Sequence, residues 1–330
     1  MTDDSLVSRE IISRGISSDP DIEVVAKAVD AFDARDKILK VEPDVMICDI
    51  EMPKMSGIEF IRRLIPQYPL PVIVVSRVSD SVFEAMNAGA VDFATKPDID
   101  SSQSVSEFLS ELIAKIKIAA NARVAQPRHE PAVKPVIQIG RNYNRIIAIG
   151  ASTGGTEAIY ELIKSLPSDI PGILIVQHIP PMFSRLFADR LNKQTSLHVK
   201  EAETGDYVQQ GKVLIAPGDQ HIRIRRIADR YKVEAFYGDK VNGHCPSVDV
   251  LFESVAKETR GGSIGIILTG MGNDGARGLL SMRNAGARTI GQDENSCVVY
   301  GMPRVAYEIG AVEKQSSLAA IPATLLKMLK

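Results

Sequence analysis

The chain has 330 residues, 45% of them hydrophobic, which is too long for one ordinary core, so two globular domains are expected. No apolar run reaches the roughly 18 residues that a membrane-spanning helix needs, and the acidic opening MTDDSLVSRE does not read as a secretory signal. The net charge of −2 hides an asymmetry, since residues 1–120 hold 21 Asp/Glu against 13 Lys/Arg while the remainder hold 20 against 26, and halves of opposite sign attract if they are separate domains.

Along the first 122 residues, apolar strand-like runs alternate with helical patterns. The runs are IEVVAKA (22–28), VMICD (45–49), PVIVVS (71–76) and AVDFATK (90–96), and the helical patterns lie near 31–40, 57–67, 80–88 and 103–122. Such alternation predicts a parallel sheet covered by helices. It places Asp49, Ser76 and Lys96 at the ends of three successive strands, while Asp3 and Asp4 open the chain. Over 1–122 the pattern resembles the response-regulator receiver domain, which implies a flavodoxin-like, doubly wound sheet. The resemblance implies that Asp49 accepts a phosphoryl group from a histidine kinase. It also implies that Asp3, Asp4, Asp49 and the Glu51 carbonyl bind Mg²⁺, a hard cation suited to oxygen ligands. Ser76 and Lys96 would contact the phosphoryl oxygens, and Phe93 stands where the family keeps its switch aromatic.

One departure stands out. Receivers place an apolar first strand before the acid pair, in the centre of a sheet of order 2-1-3-4-5, but here only Met1 and Thr2 precede Asp3. The expectation is either a true start upstream, adding roughly six to ten residues at the usual strand length, or a damaged receiver. Without that strand, neighbouring strands lose ladder partners and a core slot opens.

RVAQPRHEPAVKPVIQIGRN (123–142) carries three prolines, mixed charge and little periodicity, and reads as a linker. A second α/β pattern then runs over 143–330. Its strand candidates are RIIAIG, GILIVQ, LHVKEA, KVLIAP, HIRIRR, YKVEAF, SIGIILTG and ARTIG, with helices over 155–166, 182–194, 247–259, 274–285 and 319–329. Gly286 follows a helical run as a C-cap. The basic stretch IRIRRIADRYK (222–232) alternates as the outward face of a hairpin, and nucleic-acid binding is not expected.

GASTG (150–154) leaves two readings open at this point. It lacks the marks of a phosphate loop, and it matches G-x-S-x-G, the strand–turn–helix elbow that presents a serine hydroxyl. A serine nucleophile needs a base, and that base needs an orienting carboxylate. His178 follows the strand GILIVQ, and Asp274 lies in a glycine-rich turn after SIGIILTG. All three side chains therefore fall past the C-terminal ends of strands that share one sheet edge, where sites form. Taken singly, His178 reads equally as a structural histidine and Asp274 as a helix cap. The order Ser…His…Asp differs from that of α/β-hydrolases, so a distinct α/β serine-hydrolase fold is expected.

The blocks IGASTGG, VQHIPPMFS, APGDQHI, PSVDVLF, LTGMGNDGA and QDENSCVVYGMPRVA together resemble the chemotaxis protein-glutamate methylesterase (CheB) family over most of 145–310. The resemblance implies that Ser152, His178 and Asp274 form the catalytic triad. It implies hydrolysis of γ-glutamyl methyl esters on chemoreceptors and, in many members, deamidation of receptor glutamines. Oxyanion donors would be the backbone N–H of Thr153 and one from the Met271 turn, and no cofactor is implied for this site. Cys245 stands where a basic residue is expected. The three cysteines are far apart, and the five histidines show no metal spacing, so a reducing cytoplasm is expected, with no disulfide and no zinc. Partners would be chemoreceptors and a chemotaxis histidine kinase, with no direct membrane insertion. Two other readings remain: an α/β binding module with a small ligand at GASTGG, and an always-active esterase with a vestigial receiver. The first is separated from the enzyme by whether His178 and Asp274 converge on Ser152.

Overall fold

The computed structural model describes residues 1–77, 80–97, 102–124 and 145–330. Most of the expected 123–142 linker lies outside these residues. The chain divides into two compact units, Met1–Arg128 and His129–Lys330. Among the described residues, no helix is long and apolar enough to cross a membrane.

In the first unit, strands β1 (Met46–Asp49), β2 (Val72–Ser76) and β3 (Asp92–Thr95) pair in parallel in that order. Helices α1 (Leu6–Ile16), α2 (Ala31–Val41), α3 (Gly57–Leu64), α4 (Asp80–Asn87) and α5 (Ser102–Ala119) accompany them. β1 and β2 are buried along their whole length, as sheets covered on both faces require. Asp30 caps α2 by accepting from the Phe32 and Asp33 N–H groups, and Ser56 caps α3.

The expected strand over 22–28 is not formed. Only Ala28 makes a bridge, to Thr2, and Thr2 bridges Cys48 on its other side, both in parallel. Thr2 N–H donates to the Ile47 carbonyl (2.8 Å), and Asp49 N–H donates to the Thr2 carbonyl (2.9 Å). Met1–Thr2 thus fills the last rung of a central strand position. Behind it lies a cleft of about 450 Å³ lined by Ile16, Val24, Ile38, Ile47 and Ile116, among others. Residues 22–27 are apolar enough for a strand, but a strand needs a partner for its N–H and C=O groups, and none of the described residues lies across the cleft as one.

The second unit holds β4 (Ile146–Ala151), α6 (Gly155–Ile163), β5 (Ile173–Gln177), α7 (Phe183–Gln194), β6 (His198–Glu201) and β7 (Lys212–Ile215). There follow β8 (His221–Ile227), β9 (Arg230–Phe236), α8 (Val248–Thr259), β10 (Ser263–Ile267), α9 (Ala276–Asn284), β11 (Arg288–Gln292), α10 (Met302–Glu308), β12 (Lys314–Ser316) and α11 (Ile321–Met328). Seven strands form one parallel sheet of order β12-β11-β10-β4-β5-β7-β6. β4, β5 and β10 are fully buried, and each aliphatic side chain so buried contributes about 1.5–3 kcal/mol. β8 and β9 form the expected antiparallel hairpin. Ile222, Ile224 and Val233 point into the core, while Arg223 and Arg225 on the outer face share Glu234 at 2.8 Å each. Gly286 adopts φ 95° just past α9, as a C-cap requires. Since β4 lies between β5 and β10, the loops after these three strands open onto one point of the sheet edge.

Candidate active site

β4 ends at Ala151 and α6 begins at Gly155, so residues 152–154 form a tight elbow. Gly154 caps α6 at φ 75°, a left-handed conformation that glycine adopts without strain. Ser152 N–H donates to the Thr269 carbonyl (3.0 Å), and its own carbonyl accepts from Gly155 N–H (2.7 Å) and from Gln177 Nε2 (2.9 Å). Thr269 Oγ1 donates to the Thr153 carbonyl (3.0 Å), and Thr269 N–H is held by Gln292 Oε1 (2.8 Å). The half-buried Ser152 side chain is therefore fixed at its backbone from both neighbouring strands. A Cβ on Gly270 would lie 2.7 Å from Ser152 Cβ, so glycine there permits this close approach.

His178 follows β5, and its N–H donates to the Ala151 carbonyl (3.1 Å), which sets it beside the elbow. Its Nε2–H donates to Asp274 Oδ2 at 2.9 Å. Its Nδ1 is buried without a hydrogen-bond partner among the described residues. Ser152 Oγ forms no hydrogen bond to it in this structure. Asp274 is 1% exposed and richly bonded. Oδ1 accepts from Asn242 Nδ2 (2.9 Å), Ser247 Oγ (2.7 Å) and Asp249 N–H (3.2 Å), and Oδ2 also accepts from Val248 N–H (2.7 Å). Val248 and Asp249 open α8, so the carboxylate caps that helix from another loop, at the positive end of its dipole. Burial alone would raise the Asp274 carboxyl, but His178, Asn242 and Ser247 hold it well below the usual carboxylate range.

Thr153 is buried, whereas Met271 is exposed and its N–H donates to no acceptor among the described residues. Asn242, His244, Ser247 and the N-terminus of α8 were not singled out from sequence. The block PSVDVLF carried the signal, a serine at a helix start, but its link to Asp274 spans 27 positions.

In the first unit, Asp3, Asp4 and Asp49 bring carboxylate oxygens within 4.8 Å of one another. Asp3 Oδ1 accepts from Ser5 N–H (2.9 Å), and its Oδ2 accepts from Ser8 Oγ (2.7 Å) and Lys96 Nζ (2.8 Å). Lys96 Nζ also pairs with Asp49 Oδ2. Burial raises the Asp49 carboxyl against the pull of Lys96. Burial alone would lower the Lys96 ammonium, but hydrogen bonds to Asp3 and Asp49 hold it above its usual value. One ammonium among three carboxylates leaves an all-oxygen set with surplus negative charge, which fits a hard divalent cation. The Glu51 side chain is exposed, and its N–H donates to Asp49 Oδ1 (3.2 Å). Ser76 is buried at the end of β2, and Phe93 is buried edge-on to Phe83, with Lys115 Nζ 5.0 Å from its ring centroid.

Two family models match the chain: the response regulator receiver domain over residues 1–106 and the CheB methylesterase over residues 147–325. The chain belongs to the CheB methylesterase family. A Syntrophomonas wolfei protein-glutamate methylesterase/protein-glutamine glutaminase 2 is 58% identical over all of this chain and 96% of its own length. A Syntrophotalea carbinolica protein-glutamate methylesterase/protein-glutamine glutaminase is 48% identical over 99% of this chain and 96% of its own length. The Thermotoga maritima CheB methylesterase catalytic domain superposes with a TM-score of 0.54 at 37% identity, covering 56% of this chain and 97% of that domain. The CheB architecture accounts for both units, an N-terminal receiver and a C-terminal α/β catalytic domain.

Proposed function

We propose that this chain hydrolyses γ-glutamyl methyl esters on chemoreceptors, releasing methanol, and deamidates receptor glutamines by the same acyl chemistry. The observation that carries the reading is the His178–Asp274 pair, with Nδ1 unpaired among the described residues, set beside Ser152 at the ends of adjacent strands. Ser152 Oγ attacks the ester carbonyl, and its proton passes to His178 Nδ1 while Nε2–H stays on Asp274. His178 then gives that proton to the departing methoxide, which leaves an acyl-serine and methanol. Water attacks the acyl carbon with His178 again taking the proton, and that proton returns to Ser152 Oγ as the glutamate carboxyl is released. A glutamine side chain loses ammonia in place of methanol. Asp274 stays ionised throughout and holds the tautomer. The backbone N–H groups of Thr153 and Met271 would serve as the oxyanion donors, each such donor being worth about 3 kcal/mol.

In the receiver, Asp49 takes a phosphoryl group from a histidine kinase, with Ser76 and Lys96 contacting its oxygens and Phe93 reporting the change. Asp3, Asp4 and Asp49 with the Glu51 carbonyl would hold Mg²⁺, which when bound supplies positive charge against the phosphoryl oxygens. The test is methanol release from methylated receptor, with and without a small phosphodonor. Folded Ser152→Ala protein releases none, and Asp49→Asn no longer responds to the phosphodonor. Undiminished release by Ser152→Ala would refute the reaction.

A further inference from the structure

The turn between β9 and α8 closes on itself. Val241 N–H donates to the His244 carbonyl and His244 N–H to the Val241 carbonyl, both at 3.0 Å, with Asn242 left-handed at φ 53°. Two side chains leave this turn for the active site. Asn242 Nδ2 spans Asp249 Oδ2 (2.8 Å) and Asp274 Oδ1 (2.9 Å). The His244 ring lies flat on the His178 ring, with centroids 3.7 Å apart and planes within 9°.

We propose that His244 is a positioning residue, a neutral aromatic plate that fixes the plane of His178 and so the direction of Nδ1. The inference rests on the triad reading above. The need for such a plate follows from what else holds the imidazole. Among the described residues His178 has one side-chain hydrogen bond, Nε2 to Asp274, and that bond alone does not fix the plane of the ring. The second torsion of histidine is broad and offers little resistance of its own. A parallel ring at 3.7 Å does resist, because any swing parts the faces or drives them together. The same turn therefore fixes both members of the pair, the base through His244 and the acid through Asn242.

The geometry also separates this role from proton relay. The ring nitrogens of two parallel rings point sideways, in their own planes, so neither His244 nitrogen is directed at one of His178. Burial, then the positive charge His178 can carry, lowers the His244 imidazole to about 4, with Lys240 adding to the effect and Asp274 opposing it. At neutral pH His244 is uncharged and does not compete for the serine proton. A neutral ring face is also a favourable neighbour for the imidazolium that His178 becomes during reaction.

The experiment compares His244→Ala and His244→Phe in the full chain, using methanol release from methylated receptor with kcat and KM separated. His244→Ala is expected to lower kcat about 10- to 100-fold with KM little changed, the scale of loss for a misaimed catalytic group. His244→Phe keeps a ring face without a titratable nitrogen and is expected to recover to within about threefold of the parent. Equal loss in both variants would overturn the plate in favour of a role for the nitrogen, and full activity of folded His244→Ala would overturn it outright. Ser152→Ala, measured alongside, separates the two readings. If it is inactive while His244→Ala is unaffected, only this inference fails; if it is active, the triad reading itself fails.

Discussion

Gly270 offers a test of how tightly Ser152, the proposed nucleophile, is seated. Replacing it with alanine places a methyl 2.7 Å from Ser152 Cβ, 3.0 Å from Ser152 N and 2.5 Å from Met302 Sδ, where ordinary contact begins at 3.4 Å. The Met302 thioether can swing aside, but Ser152 cannot. Its N–H is bonded to Thr269, and its carbonyl to Gly155 and Gln177. Ser152 must therefore retreat by about 0.5–1 Å, or the loop at 269–271 must move by the same amount and carry the Met271 N–H with it. Overpacking of this kind costs about 1–3 kcal/mol of stability. A displacement near 1 Å of a reacting group costs about 100-fold in rate, or roughly 2.7 kcal/mol. Gly270→Ala should therefore fold, melt a few degrees lower and lose most of its kcat for methanol release with KM held. Activity within about threefold of the parent, in protein shown to be folded, would refute the claim that close packing seats Ser152.

Stability should depend on pH through His244. Its imidazole is lowered to about 4 in the fold from 6.5, so between these values the unfolded chain binds a proton that the folded chain does not. Stability then falls as pH drops from about 6.5 to 4, and in His244→Phe the melting temperature of the catalytic unit should lose that part of its pH slope. Chelation of divalent cations should abolish phosphorylation of Asp49, measured as acyl-phosphate formation, and leave methanol release without phosphodonor intact; equal loss of both would contradict separate sites. Placing five apolar residues ahead of Met1 should raise the receiver melting temperature by at least about 5 °C, because the cleft of about 450 Å³ beside residues 22–28 would gain side chains and ladder partners, and calorimetry would show an unchanged transition if the cleft cannot take a strand.

The strands that carry both sites were legible because buried parallel strands read as continuous apolar runs, as IIAIGA and ILIVQ do. Ser152, His178, Asp274, Asp49 and Lys96 stand out as candidates through their places at the ends of such runs. Residues 22–28 are apolar except for Glu23 and Lys27 and form no strand, since the ladder depends on a partner that composition does not reveal. β12 (KQS) is short and polar, and α10 has only seven residues, so neither shows a period. Asn242 and His244 sit in a turn with no periodicity, and they reach the site only because the chain between β9 and α8 passes over it. Which nitrogen of His178 faces Asp274 is likewise a matter of side-chain geometry.

The two acidic centres lie at comparable places, Asp49 as the last residue of β1 and Asp274 in the loop past β10, yet their charge is handled in opposite ways. Asp274 meets five donors, from His178, Asn242, Ser247, Val248 and Asp249, two of them at a helix N-terminus. Its carboxyl is held low, so that in the proposed scheme it does not take the proton from His178 and acts only as a fixed negative charge. Among the described residues, Asp49 shares the one Lys96 ammonium with Asp3, and burial lifts its carboxyl instead. A carboxylate whose charge is under-compensated gains from a cation and from transfer of a group onto its oxygen, whereas one that is fully bonded gains from neither. In the proposed scheme this difference in surroundings, and not in residue type, makes Asp49 the acceptor of a phosphoryl group and Asp274 the spectator that orients a base.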